Sequence, residues 1–306
     1  KHKSHSKHKS HKKHNSHEKD KSDIEDKSFI KHQSEVDNQS LTNNRSEISK
    51  SMLKRKFSMN ISKIKVDFSI LAKSKVILIS PGIAKIDIDK FDKVDFLGSG
   101  GFANVYKIKN KETDEIFAAK VLKRENQYLD ENERLCIMRE VTILPQMNHE
   151  SIIKFIGYSL YNFKKKEKPV FVTELAQNGS LGDILKLERK GLSINGWDDT
   201  KKLINIYGIA CGMKYLHNNS IIHRDLKPDN VLLDEFLYPK ITDFGFSRPF
   251  KHDLKHISEH ESIVIGTAPY VSPEIWNNYD HSSASDVYAF SLIVYELMTG
   301  LKPLKR

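Results

Sequence analysis

The side chains best suited to chemistry lie in one short stretch. His223 opens the run His-Arg-Asp-Leu-Lys-Pro-Asp-Asn, and an Asp-Phe-Gly triplet follows at Asp243. Asp225 can accept a proton from a hydroxyl group. Lys227 can neutralise a phosphate, and the oxygen atoms of Asn230 and Asp243 are ligands that Mg²⁺ prefers. A base, a cation and two metal ligands in this order are what phosphoryl transfer requires.

This stretch resembles the catalytic core of the eukaryotic protein kinases. The resemblance implies that Asp225 is the catalytic base and that Lys227 neutralises the γ-phosphate during transfer. It also implies that Asn230 and Asp243 hold Mg²⁺, with ATP as the phosphoryl donor. His223 is implied to have a structural role behind the catalytic loop.

Two further motifs narrow the resemblance. Lys227-Pro228 and Gly266-Thr267 resemble the serine/threonine branch, in which Thr267 contacts the catalytic base and the lysine. The run Asp-Val-Tyr-Ala-Phe-Ser that starts at Asp286 resembles the tyrosine-kinase-like group. The expected activity is therefore phosphorylation of serine and threonine in protein substrates.

A glycine-rich segment precedes the catalytic stretch and resembles the loop that covers the ATP phosphates. Glycines let a backbone approach phosphate groups and offer its N–H donors to them. The loop residues implied to contact the nucleotide are Gly98, Ser99, Gly100, Gly101, Phe102 and Ala103. Because Ala103 stands at the family's third glycine, its methyl group is expected to stiffen the loop or narrow the phosphate channel.

Lys120 ends the run Phe-Ala-Ala-Lys, where the family has the lysine that holds the α- and β-phosphates. The resemblance implies Glu140 as its ion-pair partner. His149 follows Glu140 at the family spacing, which favours Glu140 over Glu131 and Glu133.

The remaining nucleotide contacts are implied for an apolar slot and a hinge. A flat apolar slot suits a heteroaromatic base. The residues implied to surround adenine and ribose are Val105, Ala118, Leu232, Thr173, Glu174, Ala176 and Ser180. Thr173 falls at the gatekeeper position, where a small side chain opens a pocket behind the adenine. Ser180 suits either a ribose contact or the N-cap of a helix that starts at Leu181.

The pattern of apolar residues predicts the elements that must position these groups. Strand-like segments are followed by longer helical ones, so an α+β fold is expected, with a β-rich small lobe and an α-rich large lobe. The predicted strands are 91–97, 104–109, 116–122, 152–158 and 170–174. The predicted helices are 126–144, 181–190 and 200–217.

Composition separates the N-terminal segment from the rest. Residues 1–56 hold 15 of the 50 Lys and Arg residues and 8 of the 40 Asp and Glu residues, so the basic character belongs mainly to this arm. Its low-complexity His, Lys and Ser pattern predicts disorder, with attraction to acidic partners favoured over metal binding. The rest is expected to divide into a linker partly packed on the small lobe (57–90), the small lobe (91–175) and a partial large lobe (176–306).

Cysteine usage and hydropathy limit the compartments and protein classes. Two cysteines give no disulfide framework and no cysteine-based metal site. No apolar run reaches the length of a membrane span. The expected location is the cytoplasm, with the nucleus left open, and no specific nucleic-acid partner is indicated.

The end of the chain departs from the family pattern. Ser272-Pro273-Glu274 replaces the usual Ala-Pro-Glu, and Glu274 normally pairs with an arginine further along. Family members continue for several helices, so the large lobe is expected to be incomplete. A fragment or a truncated product is favoured over a lobe that another chain completes. Glu274 would then be a buried carboxylate without its partner, which is costly.

Three functions remain open on the sequence alone. The first is a serine/threonine kinase that uses Mg²⁺ and ATP. The second is a pseudokinase-like scaffold that binds partners or nucleotide without phosphotransfer, favoured by Ala103 and the missing helices. The third makes the basic arm the functional element.

Overall fold

The computed structural model describes residues 83–125, 128–192, 194–249, 266–277 and 279–303. The expected arm at 1–56 and most of the expected linker lie outside this described part. Within it, five strands form one antiparallel sheet and helices dominate the remainder, which confirms the two-lobed α+β kinase fold. No helix in the described ranges is long and apolar enough to cross a membrane.

The small lobe is built on a sheet of five strands in the order β1-β2-β3-β5-β4. These strands are β1 (Phe91–Ser99), β2 (Ala103–Asn110), β3 (Ile116–Leu122), β4 (Phe155–Ser159) and β5 (Val170–Glu174). The β2–β3 turn forms because the Asn110 side-chain oxygen accepts the Glu112 N–H at 2.8 Å. Val170, Phe171 and Val172 are all buried, so β5 contributes apolar side chains to both faces of the sheet.

The predicted strands agree with this sheet except at the start of β4. β3 and β5 have the expected bounds, and β1 and β2 are longer by one or two residues at their ends. A strand from Ile152 is wrong, because the Ile153 N–H donates to the Ile241 carbonyl at 3.0 Å. This segment therefore pairs with the large lobe before the chain enters the sheet.

Helix α1 (Glu131–Ile143) crosses behind the sheet and starts five residues later than 126, where the apolar pattern placed its beginning. Asp130 defines the start, since its side chain accepts the Glu133 N–H at 2.8 Å. The Glu133 carboxylate in return accepts the Asp130 N–H at 3.0 Å, which completes a capping box. The buried face of the helix presents Ile137, Met138 and Val141 to the sheet.

The large lobe holds four helices and two short strand pairs in the described part. The helices are α2 (Leu181–Arg189), α3 (Asp199–Asn218), α4 (Pro273–Trp276) and α5 (Ser283–Thr299). The strands are β6 (Ile221–Ile222), β7 (Val231–Leu233), β8 (Pro239–Ile241) and β9 (Arg248–Pro249). β6 pairs with β9 and β7 with β8. The observed bounds of α2 and α3 differ from the predicted ones by single residues.

The β7–β8 hairpin is seated directly on α3. A Cβ atom at Gly212 would lie 2.8 Å from Ile241 Cδ1, so a larger residue would require the Ile241 side chain to shift. The hairpin follows Asn230 and leads into Asp243, so its seating determines where both side chains lie relative to the lobe core.

Candidate active site

The Asp286 carboxylate holds the backbone of the catalytic loop, the run that begins at His223, through hydrogen bonds. The carboxylate is buried and accepts the N–H of His223 at 2.8 Å and of Arg224 at 2.9 Å. It also lies 2.9 Å from Nε2 of His217. Arg224 has a φ of 70°, a left-handed conformation that is uncommon for a residue with a side chain. The two bonds from Asp286 hold the loop in this turn immediately before Asp225.

Asp225 lies at the centre of a closed set of polar contacts. The Thr267 hydroxyl donates to its Oδ1 at 2.7 Å, and Lys227 Nζ lies 2.8 Å from its Oδ2. Asn230 Nδ2 donates to the same Oδ2 at 3.0 Å and to the Asp225 carbonyl at 2.7 Å. Lys227 also contacts the Thr267 hydroxyl at 2.7 Å. Residues from two separate sequence motifs therefore meet at one carboxylate.

The arrangement of Asn230 and Asp243 suits a hard cation that phosphates also bind. Both described bonds of the Asn230 side chain use its nitrogen, which orients its oxygen as the available ligand. The Asp243 side chain is 41 % exposed, and the Asp243 backbone has a φ of 65°. No group of three or more His, Cys, Asp or Glu in the described ranges could hold a metal ion alone. This donor set fits Mg²⁺ shared with phosphate oxygens.

Lys120 and Glu140 form a tight ion pair between β3 and α1. Lys120 Nζ lies 2.6 Å and 2.8 Å from the two carboxylate oxygens. It also lies 4.0 Å from Asp243, which brings the metal-ligand motif next to the pair. Burial opposes the charge on Lys120, but Glu140 and Asp243 together raise its pKa well above the usual value, so the ammonium is retained.

Phe244 fixes the Asp-Phe-Gly segment against the core. Its ring is fully buried and lies 5.3 Å from the His223 ring between centroids. Leu144 and Phe155 pack in the same apolar cluster. His223 Nε2 lies 3.0 Å from the Thr242 carbonyl, so the ring serves packing and loop support, as the resemblance implied.

The glycine-rich loop joins β1 to β2 and stands away from the rest of the molecule. A Cβ atom at Gly98 or Gly101 would meet nothing within 4 Å. Three bonds shape the turn: Gly100 N–H to the Ala103 carbonyl at 2.9 Å, and two from Lys123. Lys123 donates its N–H to Phe102 at 2.9 Å and its ammonium to the Gly100 carbonyl at 2.5 Å.

Ala103 packs inward at the end of the glycine-rich loop. The residue is 2 % exposed and lies in the apolar cluster with Leu122, Ile137 and Val141. This packing anchors the end of the loop on the cluster shared with α1, and an effect of the methyl group on the phosphates stays a prediction.

The residues predicted to form the adenine slot and the hinge lie in both lobes. β3 lies between β2 and β5, so Val105 pairs with Lys120, and Ala118 pairs with Thr173. Leu232 lies on β7 of the large lobe, half-buried on its core together with Ala176. These positions are compatible with one apolar slot.

Glu174 is held at the end of β5 by both its side chain and its backbone. Its carboxylate accepts the Lys154 N–H at 2.9 Å and lies 3.4 Å from Lys240 Nζ. Its own N–H donates to the Lys154 carbonyl at 2.9 Å, and its carbonyl accepts the Thr173 hydroxyl at 3.1 Å. A hinge contact between Glu174 and adenine stays a prediction.

Comparison with known proteins agrees with this geometry. The profile of the protein kinase domain matches residues 91–306. The chain belongs to the protein kinase family. It is 32 % identical over 223 residues to serine/threonine-protein kinase polo of Drosophila melanogaster, covering 72 % of this chain and 36 % of polo. It is 34 % identical over 216 residues to putative 3-phosphoinositide-dependent protein kinase 2 of Homo sapiens, covering 71 % and 51 %.

Another relative belongs to a different kinase group. Cysteine-rich receptor-like protein kinase 10 of Oryza sativa subsp. japonica is 34 % identical over 215 residues, covering 69 % of this chain and 31 % of that protein. The chain therefore spans about a third to a half of the length of these relatives. Because they come from several groups, membership of the tyrosine-kinase-like group stays a prediction.

Ser180 in this kinase domain serves the second of its two expected roles. Its hydroxyl accepts the Asp183 N–H at 3.1 Å and donates to the Asp183 carboxylate at 2.6 Å. Burial of Asp183 is outweighed by these bonds and by Lys186, so the pKa of its carboxyl is lowered. Ser180 is therefore the N-cap of α2, and a ribose contact stays a prediction.

Glu274 differs from its expected state. Its side chain is half-buried, and the Ser285 hydroxyl donates to it at 3.4 Å. Bonds from its own backbone N–H and from neighbouring serines lower the pKa of its carboxyl. It is not a buried carboxylate without partners, so the expected energetic penalty does not arise in this structure.

Sequence reasoning missed a buried polar network close to Thr267 in this kinase domain. Glu296 on α5 is 1 % exposed, lies 3.3 Å from Arg189 and accepts a bond from the Tyr270 hydroxyl. Burial and Glu296 raise the pKa of Tyr270. The available signal was a single acidic residue within the apolar run Ile-Val-Tyr-Glu-Leu-Met. The Tyr270 N–H donates to the Thr267 carbonyl at 2.8 Å, so the network connects α5 to the segment that carries Thr267.

Proposed function

We propose that this kinase domain is a protein serine/threonine kinase that transfers the γ-phosphate of ATP to serine and threonine hydroxyls. The observation that carries the proposal is the simultaneous presence of two arrangements. Lys120 is paired with Glu140, and Asp225 is held by Lys227, Thr267 and Asn230. Pseudokinase scaffolds commonly lack one of these groups, and this chain has all of them in contact.

The chemistry assigns one task to each group. The Asp225 carboxylate accepts the proton of the substrate hydroxyl as its oxygen forms the new bond to the γ-phosphorus. The bond from that phosphorus to the β-phosphate oxygen breaks, and ADP leaves. Lys227 neutralises the transferring phosphoryl group, and Lys120 holds the α- and β-phosphates. Asn230 and Asp243 would hold Mg²⁺, which would supply further positive charge to the phosphates.

The remaining site residues bind and orient the nucleotide in this proposal. The backbone of the loop from Gly98 to Ala103 covers the phosphates, and the backbone of Glu174 and Ala176 binds the adenine edge. Val105, Ala118 and Leu232 enclose the ring, with Thr173 behind it. Thr267 fits the serine/threonine assignment, because its hydroxyl bridges Asp225 and Lys227.

The domain division and partners are part of the same proposal. Residues 91–175 form the small lobe and 176–306 the large lobe, with protein substrates bound at Thr267. The basic arm at 1–56 attracts acidic partners and lies outside the described residues. Both cysteines are free thiols, which is consistent with the cytoplasm or nucleus.

The deciding experiment measures transfer of labelled γ-phosphate from Mg-ATP to a generic serine/threonine protein and to the chain itself. Asp225→Asn should abolish transfer because an amide cannot accept the proton. Asp95→Asn changes an exposed carboxylate on β1 and serves as the matched control, with activity expected to match the parent. Nucleotide binding without transfer in the parent would support the pseudokinase alternative and overturn the proposal.

A further inference from the structure

A short segment ahead of β1 pairs with the edge of the small-lobe sheet through one parallel bridge. We call Ala84–Ile86 the clamp strand. Its Ile86 N–H donates to the Tyr158 carbonyl at 2.8 Å, and the Tyr158 N–H donates to the Ala84 carbonyl at 3.0 Å. Lys85 and Tyr158 form a parallel bridge. The clamp strand therefore covers the edge of β4, which would otherwise end the sheet with unpaired backbone groups.

Close packing accompanies these two bonds. A Cβ atom at Gly157 would lie 2.5 Å from Ile86 Cγ2 and 2.7 Å from the Ala84 carbonyl, so only glycine admits the clamp strand at this distance. Ile86 packs on one apolar cluster of the sheet, and Ile88 is buried in the same cluster. Asp89, which follows, forms an ion pair with Lys165 in the β4–β5 connection. Backbone bonds and side-chain packing therefore hold the clamp strand, and the ion pair of Asp89 holds the residues that follow it.

β4 connects the clamp strand to the helix that carries Glu140. Tyr158, which makes both backbone bonds to the clamp strand, packs its side chain on the cluster containing Ile137, Met138 and Val141 of α1. Phe155 packs on the same cluster. Those three α1 residues flank Glu140 in sequence, and Glu140 holds Lys120 at 2.6 Å. Continuous contacts therefore lead from Ile86 through β4 and α1 to the phosphate-binding lysine.

We propose that Ala84–Ile86 positions α1 so that Glu140 stays paired with Lys120, which makes Ile86 a positioning residue for nucleotide binding. The predicted effect on phosphotransfer rests on the proposed function. The predicted effect on nucleotide affinity does not. The clamp strand lies ahead of residue 91, where the match to the protein kinase domain begins. The proposal therefore gives residues outside that match a role in the site.

The test compares Ile86→Pro with Lys85→Pro in the full chain. Proline at position 86 removes the N–H that bonds to Tyr158, whereas Lys85 lies between the bonded residues and its N–H takes no part in either bond. Hydrogen exchange should become faster at the Tyr158 amide and along α1 in Ile86→Pro only. Mg-ATP affinity, measured by titration, should fall about two- to tenfold in Ile86→Pro, the lower part of the range expected for coupled contacts.

A double-mutant cycle separates positioning from general weakening of the lobe. In a Lys120→Met background, where the ion pair is absent, Ile86→Pro should cause no further loss of Mg-ATP affinity. An equal loss in both backgrounds would overturn the proposal. Faster exchange at Tyr158 with unchanged exchange along α1 would overturn it too.

Two further variants guard against a failure to fold. Ile86→Ala keeps the backbone bonds but removes side-chain packing, and should weaken affinity less than Ile86→Pro. Gly157→Ala should displace the clamp strand without changing it and should reproduce the exchange pattern of Ile86→Pro. If Gly157→Ala leaves exchange along α1 unchanged, the coupling does not exist. If the parent binds Mg-ATP without transferring phosphate, the proposed function fails while these binding and exchange results still decide the inference.

Discussion

The catalytic loop and the glycine-rich loop contact the same proposed substrate but are built in opposite ways. Asp225 is buried, and four bonds from three side chains fix its two carboxylate oxygens and its carbonyl. In the turn at Gly98–Gly101, a Cβ atom added at Gly98 or Gly101 would meet nothing within 4 Å, and three hydrogen bonds shape the turn. The difference indicates that the catalytic loop must be preorganised, because groups that stabilise a transition state are effective when they need not reorganise during the reaction. The glycine-rich loop can instead adopt its final conformation when the phosphates bind.

The largest effect is expected at the support of the buried loop. Asp286→Asn replaces a carboxylate that accepts from His223 and Arg224 with an amide whose oxygen can accept only one of these two N–H bonds. A hydrogen bond to a charged group contributes about 1.5–3 kcal/mol, so the free energy of unfolding should fall by about 1.5–3 kcal/mol. Phosphotransfer should be lost because Arg224 no longer holds its left-handed turn. Urea unfolding and phosphotransfer assays would check both, and wild-type values for both would contradict the account.

An intermediate, pH-dependent effect is expected on the same side of the site. His281 lies beside the catalytic loop; burial and then Arg224 lower its pKa to about 4 from 6.5, despite the opposing charges of Asp286 and Asp280. The folded state therefore favours the neutral ring. This contribution is fully present above pH 6.5 and is lost as pH falls from 6.5 towards 4. Because the side chain is only partly buried, the loss should be about 1–2 kcal/mol.

Thermal unfolding between pH 7 and pH 4 would measure this dependence. His281→Gln removes the titrating group and should flatten the curve over that range by the same amount. Identical curves for the parent and the variant would show that His281 carries none of the pH dependence.

The smallest effect is expected at the open loop. Lys123→Met removes the ammonium that binds the Gly100 carbonyl but leaves the backbone bond to Phe102. An exposed hydrogen bond contributes about 1 kcal/mol, so KM for ATP should rise roughly fivefold with kcat nearly unchanged. Lys123→Arg should restore KM, and Lys164→Met changes an exposed lysine away from the loop as a control. A fall in kcat without a change in KM would contradict the comparison between the two loops.

Sequence reasoning succeeded where the relevant signal is local. The bounds of β3 and β5 follow from short apolar runs, and the Ser180 cap was one of two alternatives that nearby residues offered. It failed at the start of α1, because the apolar pattern extends beyond the capping box at Asp130. It also failed at Ile152, whose backbone pairs with a residue distant in sequence.

By itself the sequence determined the chemical groups and their order: Lys120, Glu140, Asp225, Asn230 and Asp243. Motifs such as these depend on residue type and spacing, which are properties of the chain alone. The tertiary structure alone decided that Ala103 points into the core, that Glu296 binds Tyr270, and that Ile86 lies against Gly157. Burial and close approach depend on segments that are far apart in the chain, and only folding brings those segments together.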